Sequence, residues 1–351
     1  MIRRVVTRML EATGEITVID TAADGREAVK KICALRPDVV SLDLEMPVLD
    51  GLGVLRQVMQ KCPVPVVMLS AHTTEGARAT MQALSLGAVD FVAKPARAGQ
   101  LDIMVAELIL KLKAAARISR NKLIRLPRTS AAGSPSATTG PKSGTLPVSR
   151  TNAPAATANQ AEIVVIGAST GGPAALQTII PALPANLPAA VVIVQHLPAG
   201  FSRSLAEHLE RRSRLSVKHA EAGQPILPGQ VLVAPAGCKF IFHGRPGSVS
   251  VQLESAKNKR QPGAFYPSVD VVMSSAAEIY SKRAMGVLLT GMGKDGARGM
   301  AAIYQQGGFT IAEDENTCVV FGMPRAAIED GVARKVLPME NIAEEIVKHS
   351  M

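Results

Sequence analysis

Short continuous apolar runs alternate along this chain with longer stretches in which an apolar residue recurs every third or fourth position. The runs predict strands buried on both faces, and the 3.6-residue period predicts amphipathic helices laid against them. In the first part the pattern predicts helix 1–12, strand 16–19, helix 25–35, strand 39–42, helix 51–60, strand 64–69, helix 74–86, strand 89–92 and a last helix from about Gly99. It resumes with strand 163–166, helix 173–182, strand 190–194, helix 202–211 and strand 231–234. An antiparallel hairpin follows, 239–243 with 248–253 around Gly244-Arg245-Pro246-Gly247, then helix 269–281, strands 286–289 and 309–312, and a closing helix 341–349. Strict alternation implies parallel sheets covered by helices on both faces, so the chain reads as α/β with two domains.

The interruption, 116–161, is rich in Ala, Ser, Thr, Pro and Gly, and it carries Arg117, Arg120, Lys122, Arg125, Arg128, Lys142 and Arg150 without an acidic residue. It reads as a flexible basic linker between domains at 1–115 and 162–351. Much of the formal net charge of +10 sits there, and no aromatic residue interleaves with the basic run, so no nucleic-acid partner is expected. With 351 residues and 47% hydrophobic content, each domain can bury a core. No apolar run approaches the roughly 18 residues that span a bilayer, and the first residues lack a signal-peptide core. Cys33, Cys62, Cys238 and Cys318 are scattered without metal-ligand spacing. They read as reduced, buried thiols rather than disulfides, in a cytoplasmic protein with no membrane insertion.

The strand 163–166 stops at Gly167-Ala168-Ser169-Thr170-Gly171-Gly172, before Pro173 opens a helix. A serine at such a turn has its hydroxyl lifted to the carboxyl edge of the sheet, where the new helix offers N–H groups to developing negative charge. Alone, Ser169 is equally readable as a helix cap or part of a phosphate cradle. Neither GxGxxG nor a P-loop lysine accompanies it.

Two further residues fall just beyond apolar strands: His196 after strand 190–194, and Asp295 in Thr290-Gly291-Met292-Gly293-Lys294-Asp295-Gly296 after strand 286–289. In an open parallel sheet the carboxyl edge is where sites assemble. The three types suit one division of labour: Ser169 attacks, His196 carries the proton and Asp295 holds the imidazole. The chain order Ser, His, Asp differs from that of α/β-hydrolases, so the serine turn does not imply that fold. Asp270 is a competing acid that reads equally as a helix cap, and His208, His219 and His243 read as structural or solvated.

In the first domain Asp43, Ser70 and Lys94-Pro95 follow three successive strands, with Met46-Pro47 and Asp50-Gly51 nearby. These positions resemble a response-regulator receiver domain. The resemblance implies a flavodoxin-like sheet, Asp43 as phosphoryl acceptor and Mg²⁺ ligand, Ser70 and Lys94 as the switch pair around the phosphate, and a cis bond before Pro95. Such receivers open with an apolar strand ending in an acidic pair that completes the Mg²⁺ site; here the chain opens inside the helix that follows it. In the order 2-1-3-4-5 that strand lies between 16–19 and 39–42. An incomplete receiver of low stability or altered packing, with weak Mg²⁺ binding, is therefore expected.

With the linker between them, a receiver and the segments IGASTGG, QHLP, PSVD, LLTGMGKDGA and VFGMP resemble the chemotaxis protein-glutamate methylesterase family, CheB-type. The resemblance implies a doubly wound catalytic domain that hydrolyses glutamate γ-methyl esters on chemoreceptors and deamidates certain glutamines, without a cofactor. By motif, the Met292 N–H and Thr170 become oxyanion donors. The resemblance also implies that the receiver covers the site until a chemotaxis histidine kinase phosphorylates Asp43. A receptor helix calls for a shallow cleft, here bordered by Phe321, Met323 and Tyr266. A non-catalytic response regulator with a partner-binding output domain is the competing reading; a transcriptional regulator would need a helix-turn-helix module in place of the strands.

Overall fold

The computed structural model describes residues 2–95, 99, 101–118, 160–255 and 266–351, so most of the linker read at 116–161 lies outside the described residues. The first domain contains α1 (Ile2–Glu11), α2 (Gly25–Leu35), β1 (Val40–Asp43), α3 (Gly51–Lys61), β2 (Val66–Ser70), α4 (Thr74–Ser85), β3 (Asp90–Ala93) and α5 (Leu101–Ala116). Its strands form a parallel sheet in the order β1-β2-β3. Helix starts are set by short polar side chains that accept from otherwise orphaned N–H groups: Asp24 at α2, Asp50 at α3 and Thr73 at α4.

Three expectations fail here. The run Ile16–Ile19 forms no strand among the described residues, and Ile19 is exposed. The sheet of this domain is β1-β2-β3 among the described residues, and the run pairs with none of its strands. Secondly, Cys33 and Cys62 are joined as a disulfide with a Cα–Cα distance of 5.4 Å, while Cys238 and Cys318 form no disulfide among the described residues. The helices α2 and α3 pack side by side and bring the pair together across 29 residues of sequence, a proximity that spacing does not reveal. Thirdly, the Lys94–Pro95 bond is trans; among the described residues only Tyr266–Pro267 is cis. The two isomers of an X–Pro bond differ by only about 0.5–1 kcal/mol, so tertiary context rather than the dipeptide decides.

The second domain runs β4 (Ile163–Ala168), α6 (Gly172–Ala182), β5 (Ala190–Gln195), α7 (Phe201–Glu210), β6 (Ser216–His219), β7 (Gln230–Val233), the antiparallel hairpin β8 (Cys238–Arg245) and β9 (Ser248–Ser255), α8 (Val269–Tyr280), β10 (Ala284–Leu288), α9 (Ala297–Gln305), β11 (Phe309–Glu313), α10 (Met323–Glu329), β12 (Lys335–Leu337) and α11 (Met339–Ser350). Seven strands form one parallel sheet in the order β12-β11-β10-β4-β5-β7-β6. The chain winds outward from β4 through β5 on one side and, after the hairpin, through β10 on the other. The crevice at β4 is thus the switch point at which ligands bind in open α/β sheets.

Apolar β4, β5 and β10 are buried along their whole length, each large side chain contributing about 1.5–3 kcal/mol. β6 and β12, at the two edges, are short and partly exposed, which is why neither produced an apolar run.

Candidate active site

Ser169, His196 and Asp295 emerge from the carboxyl ends of three adjacent strands, β4, β5 and β10. β4 and β5 pair in register with Ala168 opposite Gln195, and the His196 N–H donates to the Ala168 carbonyl at 3.0 Å. The register therefore sets nucleophile and imidazole side by side. Ser169 N–H donates to the Thr290 carbonyl at 3.0 Å, and the Thr290 hydroxyl donates to the Thr170 carbonyl at 2.9 Å, so the strand after β10 straps the turn from its other side. The buried carboxylate of Glu313 in turn accepts from Thr290 N–H at 2.8 Å. Gly171 closes the turn at φ +82°, where a side chain would be strained and a Cβ would strike Val319 at 2.5 Å.

The imidazole is held by Asp295: His196 Nε2 lies 2.8 Å from its Oδ2. Asp295 also accepts from Ser268 Oγ at 2.9 Å and from the Val269 and Asp270 N–H groups at 2.8 and 3.0 Å, the first turn of α8. Burial pushes the carboxyl up, but the hydrogen bond and charge of His196, with those two N–H groups, outweigh it and hold Asp295 below the ordinary carboxylate value. An ionised carboxylate only accepts, so the proton between the two groups belongs to Nε2 and the basic edge of the ring is Nδ1. Chymotrypsin-type triads use the opposite edges. The Ser169 hydroxyl makes no hydrogen bond to the ring among the described residues. Such bonds are commonly loose until substrate is present.

Asp270, the competing acid, is committed elsewhere. It accepts from Gly296 and Gly299 N–H at 2.8 and 2.9 Å, capping α9, and from Arg298 Nε at 2.9 Å. His219 bonds Ser202 at 3.0 Å, His208 bonds Ser85 at 3.1 Å and His243 is exposed, so none of them joins the site. Thr170 is buried beside the serine, Met292 is half-buried, and among the described residues the Met292 N–H has no acceptor, as an oxyanion donor requires. Of the three expected cleft residues, Phe321 and Tyr266 are partly exposed but Met323 is fully buried. Met323, the first residue of α10, packs beneath Gly291, where an added Cβ would meet its sulfur at 2.2 Å.

The receiver lies against the helices that follow the nucleophile and the base. The Ser85 hydroxyl of α4 donates to Gln177 Oε1 of α6 at 2.6 Å and meets His208 Nε2 of α7 at 3.1 Å. Arg78 pairs with Glu207 at 3.3 Å, and the Phe91 ring lies 4.6 Å from that of Phe201. Burial pushes the Asp90 carboxyl up, against the charge of Lys111 and a hydrogen bond from Phe91 N–H at 2.7 Å. No sequence motif marked Gln177, His208 or Phe201; an apolar or polar residue on a helix face looks the same whether it meets its own domain or another.

At the receiver's own strand ends, Lys94 Nζ lies 2.7 Å from Asp43 Oδ1 and 3.7 Å from Glu45, which brings two of the three expected residues together. Ser70 is turned away: its buried hydroxyl donates to the Gly76 carbonyl and accepts from Thr80 Oγ1 at 2.7 Å. The receiver fold implies Mg²⁺ beside Asp43. The residues present do not fit that ion, because Asp43 is already paired with Lys94 and no cluster of three ligating side chains occurs among the described residues.

Residues 164–346 match the family model described as CheB methylesterase. The chain belongs to this family. Residues 1–106 match the response regulator receiver domain. Among CheB relatives, the protein-glutamate methylesterase/protein-glutamine glutaminase of Symbiobacterium thermophilum is 47% identical over 99% of this chain and 93% of its own length. That of Archaeoglobus fulgidus is 45% identical over 99% and 95%. The crystal structure of the Thermotoga maritima CheB methylesterase catalytic domain is 46% identical over 54% of this chain and 98% of its own, with a TM-score of 0.51. The CheB chain is thus a carboxylic ester hydrolase built as a receiver domain followed by a methylesterase domain. No helix among the described residues is long and apolar enough to cross a membrane.

Proposed function

We propose that Ser169, His196 and Asp295 form the catalytic triad that hydrolyses glutamate γ-methyl esters on chemoreceptor helices, and that the same site deamidates glutamines there. Ser169 Oγ attacks the γ-carbonyl carbon and passes its proton to His196 Nδ1; the charge on the resulting oxyanion is met by Met292 N–H and Thr170. The tetrahedral species collapses with loss of methanol, which leaves carrying the His196 proton. Water, deprotonated by the same Nδ1, then attacks the acyl-serine and releases the glutamate carboxylate. With a glutamine substrate the leaving group is ammonia, and no cofactor is needed. The observation that carries this reading is the 2.8 Å His196–Asp295 bond at the sheet's switch point, one strand from Ser169. Methanol release from a methylated receptor, read with mass spectrometry of the receptor, tests it: Ser169→Ala should abolish both signals, and unchanged release removes Ser169 from the mechanism.

The contacts of Ser85, Arg78 and Phe91 support a second part of the reading, that the receiver occludes the site. Asp43, paired with Lys94, is then the acceptor for a phosphoryl group from a chemotaxis histidine kinase, and phosphorylation there, once a divalent cation is held beside it, lifts the receiver.

A further inference from the structure

We infer that Gln195 is a positioning residue that fixes the spacing of nucleophile and base through their main-chain carbonyls; this rests on the roles proposed above for Ser169 and His196. Gln195 ends the otherwise apolar β5 and is 2% exposed. Its Nε2 donates to the Ser169 carbonyl at 2.8 Å and to the His196 carbonyl at 3.1 Å. One NH₂ group thereby ties together the two residues that must exchange a proton. The Ser169 carbonyl also accepts from Gly172 N–H at 2.8 Å, so the same oxygen closes the turn and anchors it to β5.

The orientation of the amide is forced. Turned over, it would face two carbonyl oxygens with a third oxygen. As it stands, Oε1 is buried without a hydrogen-bond partner among the described residues, aimed at Gly172, where a Cβ would come within 2.1 Å. A buried acceptor left in this way costs roughly 1–3 kcal/mol, which an aliphatic side chain at the end of β5 would not incur. The sheet has no need of this amide, since the ladder of β4 with β5 is complete through Ala168 and Gln195. What the amide supplies is two donors at one fixed distance. A carboxylate has none, and an aliphatic side chain of the same length leaves both carbonyls without them.

The test uses the full chain and two readouts, methanol release from a methylated receptor and labelling of Ser169 by an alkyl fluorophosphonate, with Gln195→Met and Gln195→Glu as variants. A displacement of the reacting groups by even 1 Å costs up to about 100-fold in rate. Both variants should lose about 10- to 100-fold in kcat with KM within about twofold of the parent. Ser169 should still label to full stoichiometry, at a rate constant lowered by a similar factor. Labelling of Gln195→Met at the parental rate overturns the inference. So does a fall in stoichiometry with an unchanged rate per labelled site, which marks Gln195 as a support of folding alone. If the parent labels fully at another residue and never at Ser169, the nucleophile assignment fails first and the inference falls with it.

Discussion

His196 turns Nε2, not Nδ1, toward Asp295, at 2.8 Å. The consequence is a fixed tautomer with its basic edge on the side away from α8. Asp295→Asn keeps the shape, but its amide can offer an N–H to Nε2 and so stabilise the wrong tautomer. The same exchange in a chymotrypsin-type triad costs about four orders of magnitude in kcat. A loss of that size, with KM little changed, is expected in methanol release. A loss below about tenfold would contradict the role given to Asp295.

Gly172 sits where the amide of Gln195 and the Ala168 side chain leave no room, with a Cβ placed 2.1 and 2.6 Å from them. Gly172→Ala should therefore destabilise the protein by about 1–3 kcal/mol, the usual penalty of overpacking. Equilibrium urea unfolding measures this directly. A midpoint equal to the parent's would mean that the turn relaxes freely.

Separation of the receiver from the catalytic domain should raise activity. Residues 160–351 include the whole of 164–346, the region matched by the CheB methylesterase family model. Methanol release by this fragment should exceed that of the full chain severalfold at equal concentration. Arg78→Glu, which sets a second carboxylate against Glu207, should move the full chain in the same direction. Equal rates for fragment and full chain would remove occlusion from the account.

Phosphorylation of Asp43 from a small donor is expected to be slow in the arrangement described, because its carboxylate is paired with Lys94 and no cluster of three ligating side chains stands beside it among the described residues. Incubation with acetyl phosphate and Mg²⁺ should leave little phosphate on Asp43 by mass spectrometry. Rapid stoichiometric labelling would show that other groups supply the ligands.

Acid should loosen the fold through His208. Burial, then Arg212 and Arg211, push its imidazole down to about 4, so it stays neutral in the folded protein while the unfolded chain takes up a proton near the ordinary value of about 6.5. Its share of stability is present above about pH 6.5, is lost as pH falls toward about 4, and changes no further below that. Tm measured between pH 7.5 and 5 should fall, and His208→Gln should flatten part of that slope. His219, shifted in the same direction by burial and Arg203, keeps the remainder.

The sequence by itself determined what chain-local physics controls. Continuous apolar runs such as Ile163–Ile166 are strands because nothing else buries them on both faces, and Gly171 and Pro173 stop one element and start the next. Ser169, His196 and Asp295 stood out because each follows such a run. Tertiary structure alone decided the matters that depend on which elements become neighbours. It gave the imidazole to Asp295 rather than Asp270, whose carboxylate was drawn to the start of α9. It buried Met323, joined Cys33 to Cys62, and left Ile16–Ile19 outside the sheet. It also set Ser85 against His208 across two domains. Hydrophobic periodicity records whether a side chain is buried, not against what, so these pairings were settled only when the sheet was assembled.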